Sequence, residues 1–447
     1  MSTDIRIKKG LNIKLVGEAE KTTTKFLIGS VYAIKPEDFH SIIPKLIARE
    51  GTEVKAGEPL FYSKADDRIL FPSPVSGEVI EIVRGAKRKI LEIKILADKK
   101  QQYHDFGKKD AKKMSADEVK SHLLNAGCWP FIKQRPYDII AKPDLAPKAI
   151  FVSAYASAPL AADYEYVLMG KEAELQVALT ALSKLTTGKV HVSATSDSLF
   201  AKLKDIEFYT VSGPHPAGNV STQIAKIDPI NKGEVVWVVS PQDLVIIGEL
   251  LLTGKFNTQR IVALTGSQFN SPKYITALPG AQIKDIVSDN LKNENNRIIS
   301  GNVLTGSKVE EEGFFGYYDN QITAIPEGDD YEFFGWTMPV FNKLSISRAI
   351  TFSWLFPNKK YDLNTNTNGE HRAFVVTGNY EEVFPLDIYP MQILKACLYQ
   401  DLDEMEALGM YEVAPEDFAL TEFVCVSKQP HQEIIRKGLD LMLKEIG

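Results

Sequence analysis

Between Glu50 and Gly85 the chain reads EGTEVKAGEPLFYSKADDRILFPSPVSGEVIEIVRG, and this stretch cannot be one long helix. Gly51 and Gly57 bracket Val54 as two turns, and Pro72, Pro74, Gly77 and Gly85 break the remainder. Such residues stop helices and mark turns because glycine reaches positive φ and proline lacks an N–H. The runs left between them are short and β-prone: Phe26–Val31, Pro59–Tyr62, Arg68–Phe71, Gly77–Val83 and Ile90–Ile95. Short strands at this spacing predict a small barrel or sandwich in the first hundred residues.

The pattern then changes. Lys108 to Lys120 is polar and lysine-rich, with a helix start at Ser115-Ala116-Asp117-Glu118, and reads as a solvated helix or linker. Ala126 to Phe131 (AGCWPF) is an apolar elbow. Ala149–Ala154 and Lys189–Val192 read as buried strands around a helix at Lys171–Leu185, and Val235–Val239, Pro241–Leu252 and Arg260–Thr265 repeat strand, helix, strand. That alternation predicts a parallel sheet. Gly280–Ile286 and Arg297–Leu304 suggest a small β-rich insert, and Gln392–Leu398, Leu402–Leu408 and Gln432–Ile446 a helical tail.

At 447 residues, about three domains are expected. Net charge is −6, which disfavours general nucleic-acid binding, since phosphates need a basic surface. The N-terminus has no apolar core of a secretory signal. No apolar run approaches the ~20 residues of a membrane span, so membrane association is expected through a partner. Cys128, Cys397 and Cys425 are distant from one another and suit free thiols in a reducing cytosol.

Common catalytic signatures are missing. The seven histidines lack the spacing of a zinc site. There is no G-x-S-x-G elbow, no P-loop, and no G-x-G-x-x-G after the strand at Ala149–Ala154, which runs instead into Ser157-Ala158-Pro159-Leu160. Gly213-Pro214-His215-Pro216-Ala217-Gly218-Asn219 and Thr365–Gly369, near Arg372, are loop segments whose composition is first of all that of turns. His215, held between prolines, is a candidate ligand contact.

The Glu50–Gly85 pattern resembles the lipoyl/biotinyl hammerhead, in which a swinging cofactor is carried on a hairpin lysine. Lys64 in Ser63-Lys64-Ala65-Asp66 is the nearest candidate. The hairpin is longer and more acidic than an acceptor turn, so an unmodified structural module is expected; a lipoate or biotin carrier using Lys64 is the alternative.

The hammerhead with Arg84–Arg88, GPHPAG, Arg297–Gly306 (RIISGNVLTG), Phe333–Pro339 (FFGWTMP) and Thr367–Pro390 is similar, nearly end to end, to the A subunit of the bacterial sodium-translocating NADH:quinone reductase. The resemblance implies kinship with the C subunit of the Rnf complex and the NADH-binding subunit of respiratory complex I. Where those relatives carry a glycine-rich flavin loop, Ala126–Tyr137 keeps only Gly127; where they carry an acidic turn, Ser157-Ala158-Pro159 stands. Two ferredoxin-like cysteine runs match Gly378–Pro385, without cysteine, and Phe423–Lys428, with Cys425 alone. One thiolate cannot hold a four-iron cluster.

The expected fold is therefore multi-domain α/β plus β. It comprises a barrel-sandwich hybrid at 1–100, a flavin-domain-like α/β region at 101–255 with a degenerate loop, a β-grasp-like domain at 256–330, and a mixed segment with helical tail at 331–447. The resemblance implies a cofactor-free, peripheral subunit on the cytoplasmic face of the inner membrane, with no catalysis by the isolated chain and a role in assembly and quinone binding. It also implies five partner subunits, one of them membrane-embedded; FMN, FAD, riboflavin and iron–sulfur groups in those partners; and quinone as substrate. Trp129, Phe131, Arg135 and His215 are the candidate quinone contacts. No catalytic residue or metal ligand is expected.

Overall fold

The turns predicted between Glu50 and Gly85 fold the region from Val31 to Ala97 into two small sheets. The structure, a computed structural model, describes residues 4–25, 29–288, 290–292, 295–329, 332–335, 341–347 and 350–447. One sheet has four strands in the order Val31–Ile34, Ile90–Ala97, Gly77–Arg84, Glu53–Val54; the other has three, Pro44–Leu46, Pro59–Ser63, Leu70–Pro72. Their inner faces bury Leu60, Phe61, Phe71, Val79, Ile93 and Ile95. Phe61 stacks on Phe71 with centroids 4.5 Å apart, and Phe39 meets Phe71 edge-on at 4.4 Å. In Gly77–Arg84 the register shifts between Val79 and Glu81. Such a shift breaks the alternation of faces, so Ile80 and Glu81 are both exposed after buried Val79. Of the expected strand Phe26–Val31, residues 26–28 lie outside the described residues, and the strand present begins at Val31.

The chain before this barrel belongs elsewhere. Asp4–Arg6 pairs in parallel with Thr210–Ser212, and Glu20–Lys25 lies parallel to Lys273–Ala277. These polar segments have no local pattern that announces distant partners.

Ser115 caps the helix Ala116–Asn125 in a reciprocal box with Glu118, as its sequence predicts. Most of Lys108–Lys120 is exposed, as expected, while the helix it enters packs by one apolar face through buried Val119, Leu123 and Leu124. Gly127 follows at φ +66°, and a Cβ there would come within 2.5 Å of Pro72 Cδ. Its glycine is required by the helix end and by the close approach of the barrel.

The central sheet has seven strands, ordered Asp4–Arg6, Glu207–Ser212, Val190–Ala194, Ala149–Ser153, Val236–Val238, Lys133–Arg135, Ile139–Ile140. The first five run parallel; Lys133–Arg135 is antiparallel to them, and Ile139–Ile140 is antiparallel to Lys133–Arg135. From Ala149–Ser153 the chain winds one way to Val190–Ala194 and later the other way to Val236–Val238. The carboxyl end of Ala149–Ser153 is thus a topological switch point, where an open α/β sheet leaves a crevice.

The second expected strand–helix–strand unit does not form one sheet. Val236–Val238 is in the central sheet, whereas Arg260–Thr265 is in a six-stranded sheet ordered Ser307–Lys308, Asn296–Ser300, Gln321–Pro326, Arg260–Thr265, Lys273–Ala277, Glu20–Lys25. The helix Pro241–Thr253 between them joins the two sheets: buried Asp243 accepts from Arg260 Nη2 at 2.6 Å. Gly280–Ile286, expected to be β, instead leads into the short helix Ile283–Val287, whose apolar face buries Ile283, Ile286 and Val287. The tail helices are Pro390–Tyr399, Leu402–Ala407 and His431–Ile446, close to the predicted spans. Of the Phe333–Pro339 block, residues 336–339 lie outside the described residues.

Candidate functional site

The loop after Ala149–Ser153 lines a cavity of about 160 Å³ at the switch point. The central domain contributes Ser153, Tyr155, Ser157 and Ala158; the GPHPAG loop His215, Gly218 and Asn219; the six-stranded region Asn302, Thr305, Asn320 and Gln321; and the tail Glu416. Three sequence blocks that are far apart in the chain, Ser157–Pro159, Gly213–Asn219 and Arg297–Gly306, therefore converge on one space.

The loops fit because Gly218 lacks a side chain: a Cβ there would stand 2.3 Å from Tyr155 O and 2.6 Å from Ser157 Oγ. Gly218 N donates to Ser157 Oγ at 2.8 Å, and Ser157 Oγ lies 3.0 Å from His215 Nδ1. The serine hydroxyl can donate to Nδ1, and in that tautomer the imidazole proton is on Nε2. Burial lowers the His215 pKa to about 4, so the ring is neutral at physiological pH. Nε2 is buried with no hydrogen-bond partner among the described residues. The lining is rich in uncharged donors and acceptors, with Glu416 its single carboxylate and no lysine or arginine. An uncharged, hydrogen-bonding group suits it; a phosphate does not.

Behind Glu416 sits Arg135. Its Nη2 donates to Glu416 Oε1 at 2.8 Å and lies 3.7 Å from Asp138 Oδ1. Burial works against this guanidinium, but Asp138, Glu416 and Asp417 together hold its pKa above the ordinary value. Asp138 is correspondingly held down to about 2, where burial is outweighed by Arg135, Lys133 and Arg436. Arg135 Nε and Nη1 find no partner among the described residues. Buried Asp417 is raised to about 7, by burial first and by Glu416 second.

The other candidates sit apart from the cavity. Trp129 is fully buried, donates from Nε1 to Ala141 O at 2.7 Å, and meets Trp237 edge-on at 5.4 Å. Phe131 stacks with Phe256 at 6.2 Å and with Tyr317 at 5.6 Å in the core. The structure thus brings His215 and, through Glu416, Arg135 to one place, and leaves Trp129 packed within the central region and Phe131 packed against Phe256 and Tyr317 beyond it. Cys425 is buried with its sulfur 2.8 Å from Tyr380 Oη. Lys64 is exposed at the start of the turn between Pro59–Ser63 and Leu70–Pro72. In the Thr365–Gly369 turn, Thr365 donates to Glu327 Oε1 at 2.5 Å. Asn219, Asn302, Asn320, Gln321 and Glu416 were not singled out as contacts. Asn219 and Asn302 lie inside recognisable blocks, but nothing local marks Gln321 or Glu416.

The profile described as "NqrA N-terminal barrel-sandwich hybrid domain" matches residues 5–98, "NqrA second alpha/beta domain" matches 114–256, and "NQRA C-terminal domain" matches 261–311. The A subunit of the Na(+)-translocating NADH-quinone reductase of Neisseria meningitidis serogroup A is 36% identical over 446 residues, covering 99% of this chain and 100% of that one. The chain belongs to the A-subunit family of these reductases. The A-subunit protein of Yersinia pestis bv. Antiqua is 35% identical with the same coverage of both chains. A crystal structure of NAD+-reducing [NiFe]-hydrogenase in the air-oxidized state aligns at a TM-score of 0.33 and 11% identity, over 48% of this chain and 45% of that one.

Members of this family are named as one part of an oxidoreductase complex, so this chain has partner subunits. Among the described residues no helix is long and apolar enough to cross a membrane. Among the same residues, no group of three or more His, Cys, Asp or Glu side chains is placed to hold a metal ion.

Proposed function

We propose that this chain serves a sodium-pumping respiratory complex as its peripheral subunit on the cytoplasmic face of the inner membrane, and that it takes part in quinone binding and in assembly. The complex would pass electrons from NADH to quinone through flavins and iron–sulfur groups held by five other subunits, one of them membrane-embedded. The central sheet would descend from a flavin domain of the complex I type, and the six-stranded sheet from a β-grasp ligand domain.

The observation that carries the quinone reading is the convergence of His215, Ser157 and the Arg135–Glu416 pair on the switch-point cavity. A quinone carbonyl is neutral and accepts hydrogen bonds, which matches a neutral imidazole with its proton on Nε2. At about 160 Å³ the space falls below the ~300 Å³ lower range of whole-ligand pockets, so it would receive the ring and leave the tail outside. Trp129 and Phe131 would act here through packing.

The test is steady-state kinetics of the intact complex carrying His215→Ala. The expected result is a rise of about tenfold in quinone KM, equivalent to about 1.4 kcal/mol of lost binding, with NADH oxidation by an artificial acceptor unchanged. An unaltered quinone KM would place the quinone elsewhere.

A further inference from the structure

A crest of apolar side chains stands on the surface near residue 355. The short helix Ile350–Leu355 ends in Trp354 and Leu355, and Phe356 and Pro357 come next. Trp354, Leu355 and Phe356 are 60%, 52% and 58% exposed, and Phe341 is 64% exposed. Single exposed apolar residues are ordinary, but three large ones in succession leave a contiguous patch in water.

The crest is mounted on the body of the protein. Phe356 N donates to Ser353 O at 3.2 Å, and Lys359 N to Phe356 O at 3.1 Å, closing a turn. Lys14 Nζ donates to Pro357 O at 3.1 Å and to Asn358 Oδ1 at 2.9 Å. Tyr361 is buried; its N donates to Lys14 O at 2.8 Å and its O accepts from Val16 N at 3.1 Å. Lys359 Nζ bonds the Phe341 carbonyl, and Asn342 Nδ2 donates to Asp362 O at 2.7 Å, which sets Phe341 alongside.

The base of the crest carries Lys14, Lys359 and Lys360, with Glu18 as the acid paired to Lys360 at 2.9 Å. This collar is net positive on a chain of net charge −6. Aromatic side chains above lysines match the boundary of a bilayer, where rings sit at the headgroup level and ammonium groups meet phosphate. An apolar protein groove would have to desolvate the lysine collar, whereas phosphates meet it in water.

We propose that the Trp354-Leu355-Phe356 crest is an interfacial anchor that inserts into a bilayer containing anionic phospholipid. The experiment uses the full chain in a Trp336→Phe background, so that Trp354 is the exposed tryptophan beside buried Trp129 and Trp237. It is floated with phosphatidylcholine vesicles with or without phosphatidylglycerol, and tryptophan emission is recorded. Flotation with the anionic vesicles and a blue shift of emission are expected. Phe356→Ser with Leu355→Ser should weaken vesicle binding by about tenfold, and Lys359→Gln with Lys360→Gln should weaken it only for anionic vesicles. A folded chain that floats with neither vesicle, or that floats equally well as the serine variant, overturns the proposal. So does a crest variant that loses only its membrane-embedded subunits, since that result makes the crest a protein contact.

Discussion

Arg135 Nη2 reaches Glu416 Oε1 at 2.8 Å, tying an inner strand of the central sheet to the tail. Arg135 is buried while Glu416 is partly open to water at the cavity wall, so the tail helps to close the candidate site. Replacing Arg135 by Ala removes the leading cation of Asp138, which keeps Lys133 and Arg436, and takes from Asp417 the cation that opposes its burial. A stability loss of about 2 kcal/mol is expected, below the ~3–5 kcal/mol of a fully buried pair because Glu416 is solvated. Denaturant unfolding of the purified chain measures it. In the complex, quinone reduction should fall about tenfold while all subunits still co-purify; unchanged quinone kinetics would detach this pair from function.

Asp243 and Arg260 are sealed more completely, with side chains 5% and 1% exposed and a 2.6 Å contact. Asp243→Ala strands a buried guanidinium beneath the Phe131 ring, whose centroid is 5.7 Å away. A cost of about 3–5 kcal/mol is expected, and Asp243→Leu with Arg260→Met should recover most of it. A double variant no better than the single would show that packing around the pair, rather than its charge, sets the stability.

Two buried groups give opposite pH slopes. His431, lowered by burial to about 4 from 6.5, stays neutral in the fold. Its contribution is whole above about pH 6.5 and is lost as pH falls toward 4, because the unfolded chain takes up the proton first. Asp417, raised to about 7 from 3.8, behaves the other way: its contribution is whole below about pH 4 and is lost as pH rises through 7. His431→Gln should flatten the acid limb of stability between pH 6.5 and 4. Asp417→Asn should flatten the decline between pH 4 and 7. Midpoints of urea unfolding across pH 4 to 8 separate the two, and identical slopes in wild type and variants would refute both assignments.

All three thiols are buried, and burial drives the Cys128 thiol far up and Cys397 up to about 12. Burial denies reagents access to all three, and low thiolate content adds to this at Cys128 and Cys397. A thiol reagent should label none in the native chain and three after unfolding, and iron with sulfide should leave no cluster absorbance. The same sample, weighed by mass spectrometry, should show the unmodified 49.8 kDa chain, although Lys64 is exposed enough to carry a group. An added mass on Lys64 would revive the carrier reading.

Much of the local structure was legible because it is written locally. The Ser115–Glu118 box, the strands after Gly57 and the helix Pro241–Thr253 arise from capping, turn chemistry and periodicity. What was not legible is long-range pairing. Nothing in Val235–Thr265 says that its two strands belong to different sheets, because the deciding partners, Ala149–Phe151 and Gln321–Thr323, are far along the chain. Gly280–Ile286 misled because isoleucine suits strands, whereas Ile283 and Ile286, with Val287 after them, bury one face of a short helix. For the site, His215 and Arg135 stood out by their surroundings in sequence. Glu416 and Gln321 come to the cavity only through tertiary packing, in stretches that look ordinary.

The parallel pairing of Asp4–Arg6 with Thr210–Ser212, and of Glu20–Lys25 with Lys273–Ala277, has a consequence for synthesis. A ribosome adding about 5–20 residues per second makes these first strands roughly ten to forty seconds or more before their partners exist. The nascent chain must therefore carry two unsatisfied edges while the barrel between them is already able to form. Permuting the gene so that these strands come after Ala277 would remove that delay, and should raise soluble yield at high expression temperature without altering the finished fold.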